Sequence, residues 1–404
     1  MFLRSIVAVS VLVLFGAVPP SRAADKAAAL QLGPTKIVTF SAGVPVSERR
    51  RVVEAAGAIV VRELPFIDGL LIKMAGLQPK AIQLVSAAPG VEALEDNAYR
   101  KWISVEMDTL PSVKDILDSA RAGKTPAPEV GAAAGEIPWG VARVKAPEAW
   151  SRTMGAGVKV AVIDTGIDCT HSDLASNCAG GFNALDEAKD PSDDHGHGTH
   201  VAGSIAAKKD GKGVVGVAPK AKLYAIKVLD GEGGGTMEGI VNGIAWAVEN
   251  KMQVINMSLG GPSSAAMKKA VEKAYAAGVT IVAAAGNDPE APVSAPAQYK
   301  QSIAVSASTI DDKLAFFSTT GPEIAVIAPG HDIVSCKMGG GTAKMSGTSM
   351  ASPHVAGLAA LAVSLGASTP KAVRAMLTSA AVPIEGLTQN QQGSGLVQAD
   401  KMGK

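Results

Sequence analysis

Val158-Lys-Val-Ala-Val-Ile-Asp-Thr-Gly-Ile-Asp168 is the stretch that decides the fold. Its β-branched apolar run reads as a buried strand, and Asp164-Thr165-Gly166 ends that strand in a turn. Apolar runs of the same kind recur at 222–229, 252–257, 279–285, 302–307 and 324–328, with helical stretches between most of them. Continuous apolar strands alternating with helices predict a doubly wound α/β architecture, its mostly parallel sheet buried between helices. In open sheets of this type function gathers at the carboxyl ends of the strands, which singles out Asp164. On its own that carboxylate could equally cap a loop or bind a metal.

Two further segments carry chemistry. Asp194-His-Gly-His-Gly-Thr-His-Val-Ala-Gly-Ser-Ile-Ala-Ala207 holds three of the six histidines of the chain, and the last of them opens an apolar helix. Zinc is the rival reading, but His195, His197 and His200 form no i, i+4 pair and no His-Glu-x-x-His pattern is present. Gly347-Thr-Ser-Met-Ala-Ser-Pro-His354 then places Ser349 at the mouth of an apolar helix, where free N–H groups and the positive dipole end favour negative charge. A serine there can also be a plain cap.

Taken together, Asp164, His197 and Ser349 stand in an Asp-His-Ser order, and here the chain resembles the subtilisin-like serine proteases (subtilases). The motifs that carry the resemblance are Val162-Ile-Asp-Thr-Gly166, His197-Gly-Thr-His-Val-Ala-Gly203 and Gly347-Thr-Ser-Met-Ala-Ser-Pro353. The resemblance implies Ser349 as nucleophile, His197 as base and Asp164 as its orienting partner. Val279-Thr-Ile-Val-Ala-Ala-Ala-Gly-Asn287 is similar to the oxyanion-hole segment of the family, which makes Asn287 the side-chain donor. Val254-Ile-Asn-Met-Ser-Leu-Gly-Gly261 resembles its specificity-pocket wall, so Ser258, Leu259 and Gly260 are expected to bind an extended peptide. The glycine-dense loop Val228–Thr236, with Gly233 and Gly235, gives that peptide a second backbone to lie against. It lacks the Gly-Lys-Ser/Thr ending of a phosphate loop. Asp288 and Glu290, just after Asn287, are expected near the pocket and should make acidic substrate side chains unfavourable.

The resemblance also implies a structural calcium ion, with Asp173 and Asp210 at matching positions and oxygen ligands suited to it. Lysines 208, 209 and 212 flank Asp210 and oppose a cation. Cys169 and Cys178 flank a short loop and can bridge if it folds back; Cys336 is then left over on the loop after the strand 324–328.

The chain has 404 residues, a formal charge of +1 and three cysteines. That length suits two or three domains, and the balanced charge points away from nucleic acid. Residues 1–23 read as a signal peptide: Arg4, an apolar core, Pro19-Pro20 and a Ser-x-Ala site, too short and wrongly flanked for a stable membrane span. The protein is therefore expected to be secreted, extracellular or periplasmic. Residues 24–102 show a β-α-β-β-α-β order, a small ferredoxin-like α+β domain. It resembles the subtilase propeptide, an inhibitor and folding template. Residues 103–135 read as a Pro/Ala/Gly linker, and 136–404 as the catalytic domain. The expected protein is a monomeric serine endopeptidase made as a zymogen, acting on polypeptides. A non-catalytic binding protein on the same scaffold is the alternative.

Overall fold

The computed structural model describes residues 34–74, 79–103 and 136–403; the signal segment and nearly all of the linker lie outside the described residues. The first unit runs β1 (Thr35–Phe40), α1 (Val46–Ala55), β2 (Ala58–Leu64), β3 (Gly69–Met74), α2 (Pro79–Ser86) and β4 (Val91–Asp96). Its antiparallel sheet has the order β2-β3-β1-β4. Alternation along the strands decides which face each side chain serves. Val38, Phe40, Leu70 and Ile72 close a small core with Val53 and Val85 from the two helices, while Ile37 and Leu71 face the larger unit.

A two-residue strand, β5 (Arg100–Lys101), leads into that larger unit. Its sheet contains β6 (Lys159–Asp164), β7 (Cys178–Asn183), β8 (Lys222–Lys227), β10 (Val254–Met257), β11 (Thr280–Ala284), β12 (Ser302–Ser308) and β13 (Ile324–Pro329); β9 (Gly234–Gly235) lies outside it and pairs with β5. Two short strands, β16 (Ala381–Val382) and β17 (Leu396–Val397), complete the order β16-β17-β13-β12-β11-β10-β6-β8-β7. All pairs are parallel except β16 with β17. From β6 the order rises through β10, β11, β12 and β13 on one side, while β8 and then β7 lie on the other, so the topological switch lies between β6 and β10, the place where such sheets open a crevice.

Both faces are covered. Val160 and Val162 pack with α3 (His197–Ala206) and α6 (Thr348–Ser364); Ala161 and Ile163 pack with α4 (Met237–Glu249) and α5 (Ala265–Ala276). Helix α6 is buried nearly all round, which is why its sequence lacks a polar stripe.

One strand was not foreseen and one expectation is corrected. Residues 178–183 form the edge strand β7, hidden in the sequence because Gly180 and Gly181 interrupt any apolar run; at Gly181 a Cβ would lie 2.0 Å from the Ala225 carbonyl oxygen. Cys336 is not on a loop. It ends β14 (Ile333–Cys336), which makes an antiparallel hairpin with β15 (Thr342–Met345).

Candidate active site

The site starts at the carboxyl end of β6. Asp164 and His197 are both fully buried, and His197 Nδ1 lies 2.7 Å from Asp164 Oδ1. The imidazole is the first residue of α3, so its position depends on how that helix begins. Asp193 governs the start. Its Oδ1 accepts from the N–H groups of His195 and Gly196, and its Oδ2 from the Thr199 N–H and hydroxyl. Thr165, next to Asp164, donates its hydroxyl to Asp193 and accepts the Gly198 N–H at 3.0 Å. Burial pushes the Asp193 carboxyl up, but these hydrogen bonds outweigh it and hold it below the usual carboxylate value. His200 points elsewhere, with Nε2 3.0 Å from the Ile333 carbonyl oxygen, so the three clustered histidines do not converge on a metal.

Ser349 is the second residue of α6 and is 5% exposed. Pro353, four residues later, has no N–H to give the Ser349 carbonyl. That carbonyl instead accepts the Ser258 hydroxyl at 2.8 Å. Ser258 Oγ in turn accepts from Asn256 Nδ2 at 2.9 Å, and Asn256 Oδ1 accepts from the Ser352 hydroxyl at 2.7 Å. A buried polar ladder thus joins β10 to the start of α6. The Ser349 hydroxyl itself donates to the Ser258 carbonyl at 3.2 Å. Asn287 follows β11, and its Oδ1 accepts the Thr348 N–H and hydroxyl, each at 2.8 Å. The amide oxygen is thus committed to Thr348, and Asn287 and Ser349 line the same cleft.

A cavity of about 130 Å³ is lined by Ser349, Asn287, Gly260, Ala291, Thr319 and neighbours. Asp288 sits at its rim, where its carboxylate accepts the Glu290 N–H at 3.0 Å; Glu290 is exposed and does not line the cavity. Beside the cavity, the end of the first unit lies between two backbones. Strand β5 pairs antiparallel with β9, the Trp102 N–H donates to the Gly233 carbonyl at 3.0 Å, and Gly260 N–H donates to the Trp102 carbonyl at 2.9 Å. Glycine is required here by close approach. A Cβ at Gly234 would fall 2.0 Å from the Tyr99 hydroxyl, and one at Gly261 2.4 Å from the Trp102 ring. The expected peptide-binding residues Gly233, Gly235 and Gly260 therefore meet a peptide segment from this same chain, and Leu259 lines the cavity beside it.

Cys169 and Cys178 are joined in a disulfide with Cα atoms 5.8 Å apart. The two expected calcium ligands each hold another partner. Asp210 Oδ2 pairs with Lys208 Nζ at 2.8 Å, and Asp173 Oδ2 accepts the Val214 N–H at 3.0 Å. Among the described residues, the group that includes Asp173 holds His171 and Cys336 rather than Asp210. An imidazole and a thiol are unsuited to a hard cation, and a lysine already supplies the positive charge at Asp210. A calcium ion shared by Asp173 and Asp210 has to displace the Lys208 ammonium from Asp210.

Asp193 and Asn256 were missed in the sequence. Asp193 had a readable signal, an acid just ahead of a helix start. Asn256 had none, because a lone amide in a strand declares no partner until the helix from Thr348 is packed beneath it.

Fold and cleft together define the class: a doubly wound α/β protein with an acid–imidazole pair and a helix-start serine at the carboxyl edge of its sheet. The sequence profile of the subtilase family, Peptidase S8, matches residues 155–398, and the chain belongs to that family. Subtilisin E of Bacillus subtilis (strain 168) is 49% identical over 235 residues, which cover 56% of this chain and 61% of the relative. Subtilisin BL of Lederbergia lenta is 46% identical over 267 residues, 65% of this chain and 97% of the relative. An alkaline protease of Shouchella clausii is 45% identical over 275 residues, 67% and 71% of the two chains. The chain thus spans 61% of the length of relatives such as subtilisin E.

Proposed function

We propose that this protein is a secreted serine endopeptidase made as a zymogen. The observation that carries the reading is the buried 2.7 Å His197–Asp164 contact at the switch point of a subtilase fold. Asp164 holds the imidazole with Nδ1 as donor, which leaves Nε2 as the basic nitrogen. Ser349 Oγ attacks the substrate carbonyl carbon while His197 takes the hydroxyl proton, and the tetrahedral oxyanion forms beside Asn287 Nδ2 and the Ser349 N–H. The same proton then passes to the leaving amine, and water repeats the cycle on the acyl-enzyme. Gly233, Gly235 and Gly260 hold the substrate as an added strand. The small cavity, with Asp288 at its rim, disfavours an acidic side chain before the scissile bond.

Residues 24–102 act as propeptide in this reading. Their end, Arg100–Trp102, follows the substrate track, so the unit blocks the cleft it helped to form. Export is supported by residues 1–23 and by the disulfide, which persists in oxidising compartments. No helix among the described residues is long and apolar enough to cross a membrane. Ser349→Ala is expected to abolish both proteolysis and release of the propeptide. A variant that still matures when made alone in a protease-free host contradicts self-processing.

A further inference from the structure

His171, Asp173 and Cys336 form a cluster that the peptidase reading does not use. Each offers one ligand atom, and these atoms lie within 4.8 Å of one another. All three residues are buried, at 3%, 3% and 0% exposure. His171 and Asp173 come from the disulfide-closed loop after β6, and Cys336 from the end of β14, so the cluster joins two distant parts of the chain.

The imidazole has the tautomer a metal needs. His171 Nδ1 carries no proton, and a metal takes its one lone pair from the Asp173 N–H that it accepts at 3.1 Å, while Nε2 lies 2.8 Å from the Gly341 carbonyl oxygen as its donor. Metal-binding histidines characteristically give their second ring N–H to such a carbonyl, which fixes tautomer and ring direction. Asp173 can keep Oδ2 on the Val214 N–H while Oδ1, whose partner is the neighbouring Ser172 hydroxyl, turns to a metal. The charges facing the cluster are Asp168, which lies close enough to act on the Cys336 thiol, and the Lys208 ammonium, which is already paired with Asp210.

We propose that His171 Nδ1, Asp173 and Cys336 Sγ form a buried three-ligand site for a borderline-to-soft divalent cation of the zinc and cadmium class. Nitrogen, oxygen and sulfur donors select such ions over calcium or magnesium. On binding, the Cys336 S–H bond breaks, sulfur bonds to the metal as thiolate, and one proton leaves to solvent; no oxidant or reductant takes part. The bound ion ties the loop after Asp164 to the β14–β15 hairpin, and so stabilises the fold without touching the reacting atoms.

The test uses the full chain carrying Ser349→Ala, which removes self-digestion. Cys336 is the one cysteine outside the disulfide, so a cadmium–thiolate charge-transfer band reports this site alone. Cadmium is expected to raise that band to a plateau at one equivalent and to raise Tm by about 5 °C at a hundredfold excess over Kd. Cys336→Ser, close in size, should remove the band and the Tm shift. His171→Gln, with the thiol intact, should weaken binding at least tenfold. Absence of the band in the parent chain overturns the site, and unchanged affinity in His171→Gln overturns its ligand set. Zinc competing for the cadmium band supports the ion class; calcium competing equally well contradicts it.

Discussion

At the scale of single residues, the site depends on side chains whose partners fix them from behind. Asn287 is the clearest case, because its amide oxygen is held twice by Thr348, which fixes the orientation of the whole amide beside Ser349. Asn287→Ala is expected to lower kcat on the order of 10²–10³, the size known for loss of such a donor in a subtilisin, with KM little changed. Steady-state kinetics on a peptide amide checks this; an equal rise in KM with kcat intact would assign Asn287 to ground-state binding. Asp193 acts one step further back, as a positioning residue that gathers the turn before His197. Asp193→Ala should reduce stability by about 1–2 kcal/mol through the lost helix start, together with kcat. Its lowered acidity gives the sign of the pH effect: the contribution is present above the usual carboxylate value and is lost as pH falls through the lower folded value. The three motif residues were legible because chemistry restricts their types and neighbours. Asp193 and Asn256 were not, because their roles exist only through contacts that the chain makes after folding.

At the scale of elements, the first unit is attached to the larger one through helix ends. Glu95, on β4, accepts from the Ser264 hydroxyl at 2.7 Å and from the N–H groups of Ala265 and Ala266 at 3.0 Å, so it caps α5 from outside. Lys269, one turn along α5, adds an ion pair to Glu92 at 2.8 Å. A carboxylate at a helix start satisfies free donors and complements the dipole. Glu95→Ala is expected to weaken retention of the cleaved unit roughly tenfold, measured as residual peptidase inhibition after processing; unchanged inhibition would remove the cap from the account. Calcium belongs to this scale as well. With Lys208 already paired to Asp210, adding calcium to metal-free protein should leave Tm within about 1 °C, and a larger rise would show that other oxygens gather the ion. The six principal strands were legible as continuous apolar runs. Strand β7 and the β14–β15 hairpin were not, since Gly180, Gly181 and the exposed Gly339–Gly341 turn erase the periodicity that marks a strand.

At the scale of the molecule, α6 is the axis around which both sheet and cleft are arranged, and it carries a buried base. His354 is fully buried, and burial holds its pKa down to about 4 from an ordinary 6.5. Between those values the unfolded chain binds a proton that the folded chain refuses, so stability falls as pH drops from about 6.5 toward 4. The loss is about 3 kcal/mol from this residue. Urea midpoints of Ser349→Ala between pH 8 and 4 should show that slope, and His354→Gln should flatten it; identical slopes would contradict the assignment. The central claim is that this fold presents one activated serine. Treatment of the processed protein with a serine-directed phosphonate, followed by peptide mapping, tests it most directly. The account predicts a single adduct on Ser349, absent from the Ser349→Ala chain and suppressed while Arg100–Trp102 remain in the cleft. No adduct, or one on another residue, would contradict it.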